Sequence, residues 1–157
     1  MSSAVFSVDA REVKKLTGIL NNAQLNDSER KQLLRDLGAE MEDQTVERFS
    51  TKKDPDGNPW EDLAETTRKY YAKRFPQAQP TLVVSGELRD TVEGSSKVNS
   101  WKVVVGATKV YSAVHQFGWD EKNIPARPYL GIGPNDAEAL ADIATRFIAR
   151  SLLRRAA

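Results

Sequence analysis

The chain has no cysteine and a single histidine among its 157 residues. Without a thiol, disulfides and thiolate metal sites are excluded. With one imidazole, any metal site would rest on carboxylates, a poor ligand set for zinc. No apolar run approaches the ~20 residues needed to cross a bilayer, so no membrane partner is expected. No basic start followed by an apolar run opens the chain, which leads us to expect a protein without a leader, made in a cytoplasm. A strong charge of either sign is missing as well. The 23 basic and 22 acidic side chains leave a net charge of +1, which is not the global balance of a nucleic-acid binder.

What charge there is lies unevenly. Residues 1–60 carry 9 basic and 11 acidic side chains, and residues 61–157 carry 14 and 11. Arg146, Arg150, Arg154 and Arg155 are followed and separated by no acid. Such a run reads either as a solvated helix face, whose cations suit the negative end of the helix, or as a docking surface. The length suits one domain, residues 1–157. It also suffices to bury about two thirds of the unfolded surface. No internal repeat or low-complexity tract is present.

Helical periodicity dominates both ends. Val13, Leu16, Ile19 and Leu20 share a face and predict a short helix from Asp9 to about Leu20. Asn26 and Glu29 form a capping-box pattern. The helix they open runs to about Phe49, with Leu33, Leu37, Met41, Thr45 and Phe49 in one stripe and Leu34 beside it. Its other side, with Arg30, Lys31, Arg35, Glu42, Asp43 and Glu47, is expected to be wet or subunit-facing. "ETTRKYYAKRFP" predicts a helix ending before Pro76. A last helix runs from Asp136 to about Arg155, with Asn135 as cap and Glu138 completing the box. Its apolar face is Leu140, Ile143, Ala144, Phe147, Ile148 and Leu152.

The middle of the chain reads as extended. "VNSWKVVVG" is a strand by composition, with Thr91-Val92 as a partner across "EGSSK". "VYSAVHQFG" returns to a helical turn stopped by Gly118, and the prolines of "IPARPYLGIG" keep that segment extended. The predicted architecture is α+β. An antiparallel sheet of about three to four strands from the middle of the chain packs with the long helix of the N-terminal half and the C-terminal amphipathic helix. Trp60, Leu63 and Trp101 are read as anchors holding loops to the core, and residues 1–25 as peripheral.

Catalytic signals are thin. His115 has Ser112 before it and Asp120 and Glu121 after it, but polar stretches produce such neighbours by chance. There is no nucleophile elbow, phosphate-cradling loop or HExxH motif. A dinucleotide fingerprint at "GIG" would need a glycine where Asp136 stands. Asp54, Asp56 and Asn58 fit a calcium loop only loosely and read as a turn. We expect no enzyme, no cofactor and no catalytic or metal-binding residue. The basic–aromatic helix 66–75 and the C-terminal arginines leave nucleic-acid binding as the alternative. The stiff "PARP" step points instead to a protein contact. Arginine, tyrosine and tryptophan are frequent interface anchors, and stiff backbone lowers the entropy lost on binding. The residues placed at such an interface are His115, Gln116, Phe117, Trp119, Arg127 and Tyr129. The competing reading has Phe117 and Tyr129 in the core and Arg127 as a structural ion-pair partner.

The ordered set "DPDGNPWEDLAETT", "LVVSGELRDTVE", "VVVGATKVYSAVHQFG" and "IPARPYLGI" resembles the phage virion morphogenesis family. That family includes tail-completion proteins of Mu-like and related contractile-tailed bacteriophages and prophages. The likeness runs from about Arg30 onward. It is most specific in "HQFG" at 115–118, in "PARPYLG" at 125–131 and in the Asp56, Gly57, Trp60, Leu63 spacing. The resemblance implies a structural, non-enzymatic assembly protein in the tail or neck of the virion, present in host cytoplasm during assembly. It implies partners among copies of the same chain in a sixfold ring, the tail tube, and terminator or neck and connector proteins, with DNA only as passing cargo. "HQFGWDEKNIPARPYL" and the long helix are the expected contact patches.

Overall fold

A computed structural model describes residues 5–9, 24–76, 82–83, 85–99 and 102–156. Helix α1 (Asp27–Thr51) begins with the predicted capping box. The Asn26 side-chain oxygen accepts the Glu29 N–H at 2.9 Å, and the Glu29 carboxylate accepts the Asn26 N–H at 3.0 Å. The helix ends where Lys52 turns left-handed and donates its N–H to the Arg48 carbonyl at 2.7 Å. Its stripe of Leu33, Leu34, Leu37, Met41, Thr45 and Phe49 is buried.

Four further α-helices follow among the described residues: α2 (Glu65–Arg74), α3 (Glu87–Asp90), α4 (Ser112–Phe117) and α5 (Pro134–Ala156). Strands β1 (Val5–Asp9), β2 (Lys97–Val98) and β3 (Lys102–Gly106) lie in the order β1–β3–β2, all antiparallel. Val5 pairs with Gly106 at one end of the β1–β3 ladder and Asp9 with Lys102 at the other. Lys97 pairs with Val104. The protein is therefore helix-rich α+β with an antiparallel sheet.

Helix α1 lies across β3 and against α5. Val103 and Val105 point from β3 into the core, where Leu140 and Ala144 of α5 meet the α1 stripe. The approach of α1 to the sheet is close. A Cβ on Gly38 would stand 2.7 Å from Val103 Cγ2, so glycine sets that spacing.

Several expectations are corrected. One sheet strand comes from the N-terminal segment, not from the middle of the chain. "VNSWKVVVG" is not one strand but the hairpin β2–β3. Asn99 turns the chain there by accepting the Lys102 N–H on its side chain at 2.9 Å, as short polar turn residues do. Thr91-Val92 is not a strand. It follows α3 in a turn, with Val92 fully buried. Helix α5 starts at Pro134, ahead of the predicted Asn135 cap, because proline suits the first helical position. Asp136, not Glu138, reaches back, accepting the Gly133 N–H at 2.6 Å. Leu152 is exposed. Ser151 takes the inward position instead, donating to Glu29. The helix predicted after Asp9, and Trp101, lie outside the described residues.

Candidate functional site

Residues 111–133 form an arm braced from three sides. Helix α4 stops at Gly118, whose φ of 78° is left-handed. A Cβ there would stand 2.8 Å from the Ala126 nitrogen, so the stop requires glycine twice over. A small hairpin follows. The Trp119 N–H donates to the Ile124 carbonyl at 2.8 Å, and the Ile124 N–H returns to the Trp119 carbonyl at 3.1 Å. A 3-10 turn, Asp120–Lys122, closes its tip. The chain then runs back beside α4, with the Arg127 N–H donating to the His115 carbonyl at 2.7 Å.

Side chains complete the bracing. Gln116 behaves like a strand neighbour. Its carbonyl oxygen accepts the N–H groups of Tyr129 at 3.1 Å and Leu130 at 2.9 Å, and its amide donates to the Leu130 carbonyl at 2.9 Å. Arg127 is 3% exposed and donates to the carbonyls of Glu61 at 2.7 Å and Asp62 at 3.1 Å. Trp60 is in the core, and its indole N–H donates to the Pro128 carbonyl at 2.8 Å. Leu63, on the same loop, is half-buried. Tyr129 is fully buried, its ring 5.2 Å from that of Phe49, its hydroxyl donating to the Ser112 carbonyl at 3.2 Å. Burial pushes that phenol up to about 12.

Arg48 is the residue that sequence reasoning missed. It leaves α1 inside the protein and donates to the Tyr129 carbonyl at 2.7 Å, to the Gly131 carbonyl at 3.1 Å and to the Asp136 carboxylate. The signal was present. Arg48 follows Thr45 by three and precedes Phe49, so it lies on the buried stripe, where a charge needs a partner. The "GIG" glycines also find a reason. A Cβ on Gly133 would fall 1.6 Å from the Pro55 carbonyl oxygen, and one on Gly131 2.7 Å from Pro55 Cγ. The Asp54–Asn58 turn sits directly on them, closed by the Asn58 N–H donating to the Asp54 carboxylate at 2.8 Å.

The six expected interface residues divide. Arg127 and Tyr129 are corrected to internal ties, because their polar atoms are spent on backbone carbonyls and their side chains are buried. Gln116 is half-buried and engaged. Phe117 is 74% exposed and Trp119 39%, on either side of Gly118. His115 lies edge-on to Tyr111 with ring centroids 5.8 Å apart. Its Nδ1 is buried with no hydrogen-bond partner among the described residues. Burial, and then Arg127, push its pKa below the ordinary value. The Ser112 hydroxyl donates to the Ala107 carbonyl at 3.3 Å, and Asp120 and Glu121 stand exposed on the hairpin tip.

His115 and Arg127 form one wall of a cleft of about 440 Å³. Leu63, Thr67 and Tyr71 supply the side toward α2, and Leu82, Leu88 and Tyr111 close it. Helix α2 has no buried residue. Its basic–aromatic face is partly spent internally: Lys69 pairs with Glu65 at 2.7 Å, Arg68 with Asp62 at 3.5 Å, and Tyr71 stacks toward Phe75 at 6.1 Å. Among the described residues no helix is long and apolar enough to cross a membrane.

The model of the phage virion morphogenesis family matches residues 11–149. An uncharacterized protein of Methanocaldococcus jannaschii is 31% identical over 98 residues, 61% of this chain and 69% of that protein. No solved structure matches the chain.

Proposed function

The chain belongs to the phage virion morphogenesis family, a family of virion assembly, and on that premise we propose that it completes the tail. It acts at the head-proximal end of the tail or in the neck, so that tail and head can join. It works as repeated copies, in a ring whose sixfold symmetry matches a tail tube, against terminator or connector proteins. DNA passes through as cargo.

One observation supports a contact role most directly. Phe117 and Trp119 are large apolar side chains left in solvent, yet their loop is tied down by Gln116, Arg127 and the Trp119–Ile124 ladder. A stiff loop with exposed aromatics loses little entropy on docking, and aromatics dominate interface energetics. Electron microscopy of particles assembled without this protein tests the reading. Separate heads and tails, or overlong tubes, are expected, and normally joined particles would overturn it.

A further inference from the structure

The α2–α4 cleft contains a cation that meets no carboxylate. Arg127 lines the cleft and is 3% exposed. A guanidinium carries five N–H donors, and two of these reach acceptors, the carbonyls of Glu61 and Asp62. Among the described residues no acid forms an ion pair with it. The Asp62 carboxylate turns to Arg68 at 3.5 Å instead. Glu61 and Asp62 are both exposed, and their carboxylates act on Arg127 only through space. Buried charges are normally paired, so this one is open to an anion.

A second unmet group stands on the same wall. His115 lines the cleft, and its buried Nδ1 has no hydrogen-bond partner among the described residues. That nitrogen donates to an acceptor in the tautomer that carries its proton there. Among the described residues no acid lines the cleft, and the other polar lining groups are neutral. Leu63, Tyr71, Leu82 and Leu88 give the recess its apolar surface. A space of about 440 Å³ with two unmet polar groups and apolar walls suits an anion carried beside an apolar group.

The hairpin narrows the choice of occupant. Asn123 and Ile124 line the cleft, and the Trp119–Ile124 ladder joins them to the exposed Trp119, with Phe117 just before Gly118. A polypeptide that docks on those two rings passes within one short hairpin of the cleft. We propose that a partner polypeptide seats an aspartate or glutamate side chain in the cleft against Arg127 and His115, with a neighbouring apolar side chain against Leu63, Tyr71, Leu82 and Leu88. The hydrogen bond from the guanidinium to the carboxylate is charge-assisted, which makes it strong and directional. The inference rests on the reading of the chain as an assembly protein, and it names the chemistry that the partner presents.

Titration of the isotope-labelled full-length protein with blocked tripeptides, followed by NMR, tests it. The probes are acetyl-Leu-Glu-Leu-amide and its Gln counterpart, with sodium acetate as a free carboxylate. The Glu peptide should move the amide signals of His115, Ile124 and Arg127 and saturate. The Gln peptide should bind at least ~10-fold more weakly, for loss of a hydrogen bond to a charged group. Arg127 also ties the arm, so the variant is placed at Ser85, an exposed residue of the cleft lining. Ser85→Glu supplies a carboxylate from the protein itself and should weaken the Glu peptide by a similar factor, with circular dichroism unchanged. Equal binding of the Glu and Gln peptides would overturn the proposal. So would shifts confined to another surface, or none at the solubility limit of the peptide. Acetate binding as tightly as the Glu peptide would assign the site to a free small carboxylate and would overturn the polypeptide occupant. The titration needs no particles and head–tail joining is scored by microscopy, so failure of this site and failure of the tail-completion reading show separately.

Discussion

Arg48 and Asp136, 88 positions apart in the chain, meet as a buried ion pair that ties α1 to the first turn of α5. The same guanidinium holds the carbonyls of Tyr129 and Gly131, so one side chain fixes the arm and the helix that follows it. Burial pushes the guanidinium pKa down, and Asp136 counters that effect. Breaking a buried pair from one side leaves an uncompensated charge, at a cost of about 3–5 kcal/mol. Asp136→Ala and Arg48→Met should each lower urea stability by that order. A loss below about 1 kcal/mol would mean that water reaches the pair and that the arm is held by other contacts.

Tyr129 makes stability fall in alkali. Its folded pKa is raised to about 12 by burial, against about 10 in the unfolded chain. Between these values the unfolded chain has released the proton and the folded chain retains it. Stability is therefore full below pH 10 and declines as pH rises from 10 to 12, by about 1.4 kcal/mol per unit. Tyr129→Phe should flatten that part of the profile relative to the parent. It should also cost about 1 kcal/mol at neutral pH, for the lost bond to the Ser112 carbonyl. Urea titrations of both proteins across this range give the comparison, and parallel curves would refute the assignment.

His115 acts at the opposite end of the scale. Its folded pKa is depressed by burial and by Arg127, while the unfolded imidazole titrates near 6.5. The stabilisation is complete above that value and is lost as pH falls through it toward the folded pKa, because the unfolded chain takes up the proton first. His115→Gln removes the titrating group. Its unfolding midpoint should then change less than that of the parent as pH falls through about 6.5.

Gly133 tests whether the Pro55 turn is part of the arm. A methyl group there would overlap the Pro55 carbonyl oxygen, and backbone is a poor candidate to yield. Gly133→Ala should destabilise by about 2–4 kcal/mol, in the range of other strongly disruptive core changes. Gly57→Ala makes the control. Nothing lies within 4 Å of its Cβ position, though its φ of 89° adds some strain, so its cost should be about 1 kcal/mol. Equal losses from the two would show that the turn moves freely off the glycines.

Long-range order was legible where a single local rule decided it. The capping box at Asn26 and Glu29, the α1 stripe and the stop at Gly118 all follow from spacing and stereochemistry within a few residues. What the sequence concealed were pairings between distant segments. The β1–β3 ladder joins residues about a hundred positions apart, and no local pattern in "VFSVD" names its partner. The inward turn of Arg48 and Arg127 was hidden for the same reason. Arginine is usually exposed, and only the carbonyls brought to it by the fold make burial tolerable. The aromatic–arginine cluster was read from the sequence as one unit, while the direction in which each member faces depended on that tertiary setting.

Two double variants separate folding from assembly in that cluster. Phe117→Ala with Trp119→Ala removes exposed ring surface without touching the bracing bonds, apart from the Trp119 backbone, which alanine keeps. Stability should change by no more than about 0.5 kcal/mol per site, as for ordinary surface positions, while head–tail joining scored by microscopy should fail. Arg127→Ala with Tyr129→Ala removes two bonds to the Glu61 and Asp62 carbonyls and empties a fully buried ring site. A buried aromatic cut to alanine alone costs about 3–5 kcal/mol, so this variant should be largely unfolded and its assembly defect secondary. If the first pair assembles normally, the exposed rings are not the contact. If the second pair folds and merely fails to assemble, the arm presents its arginine outward after all, and the division of the cluster into ties and anchors is wrong.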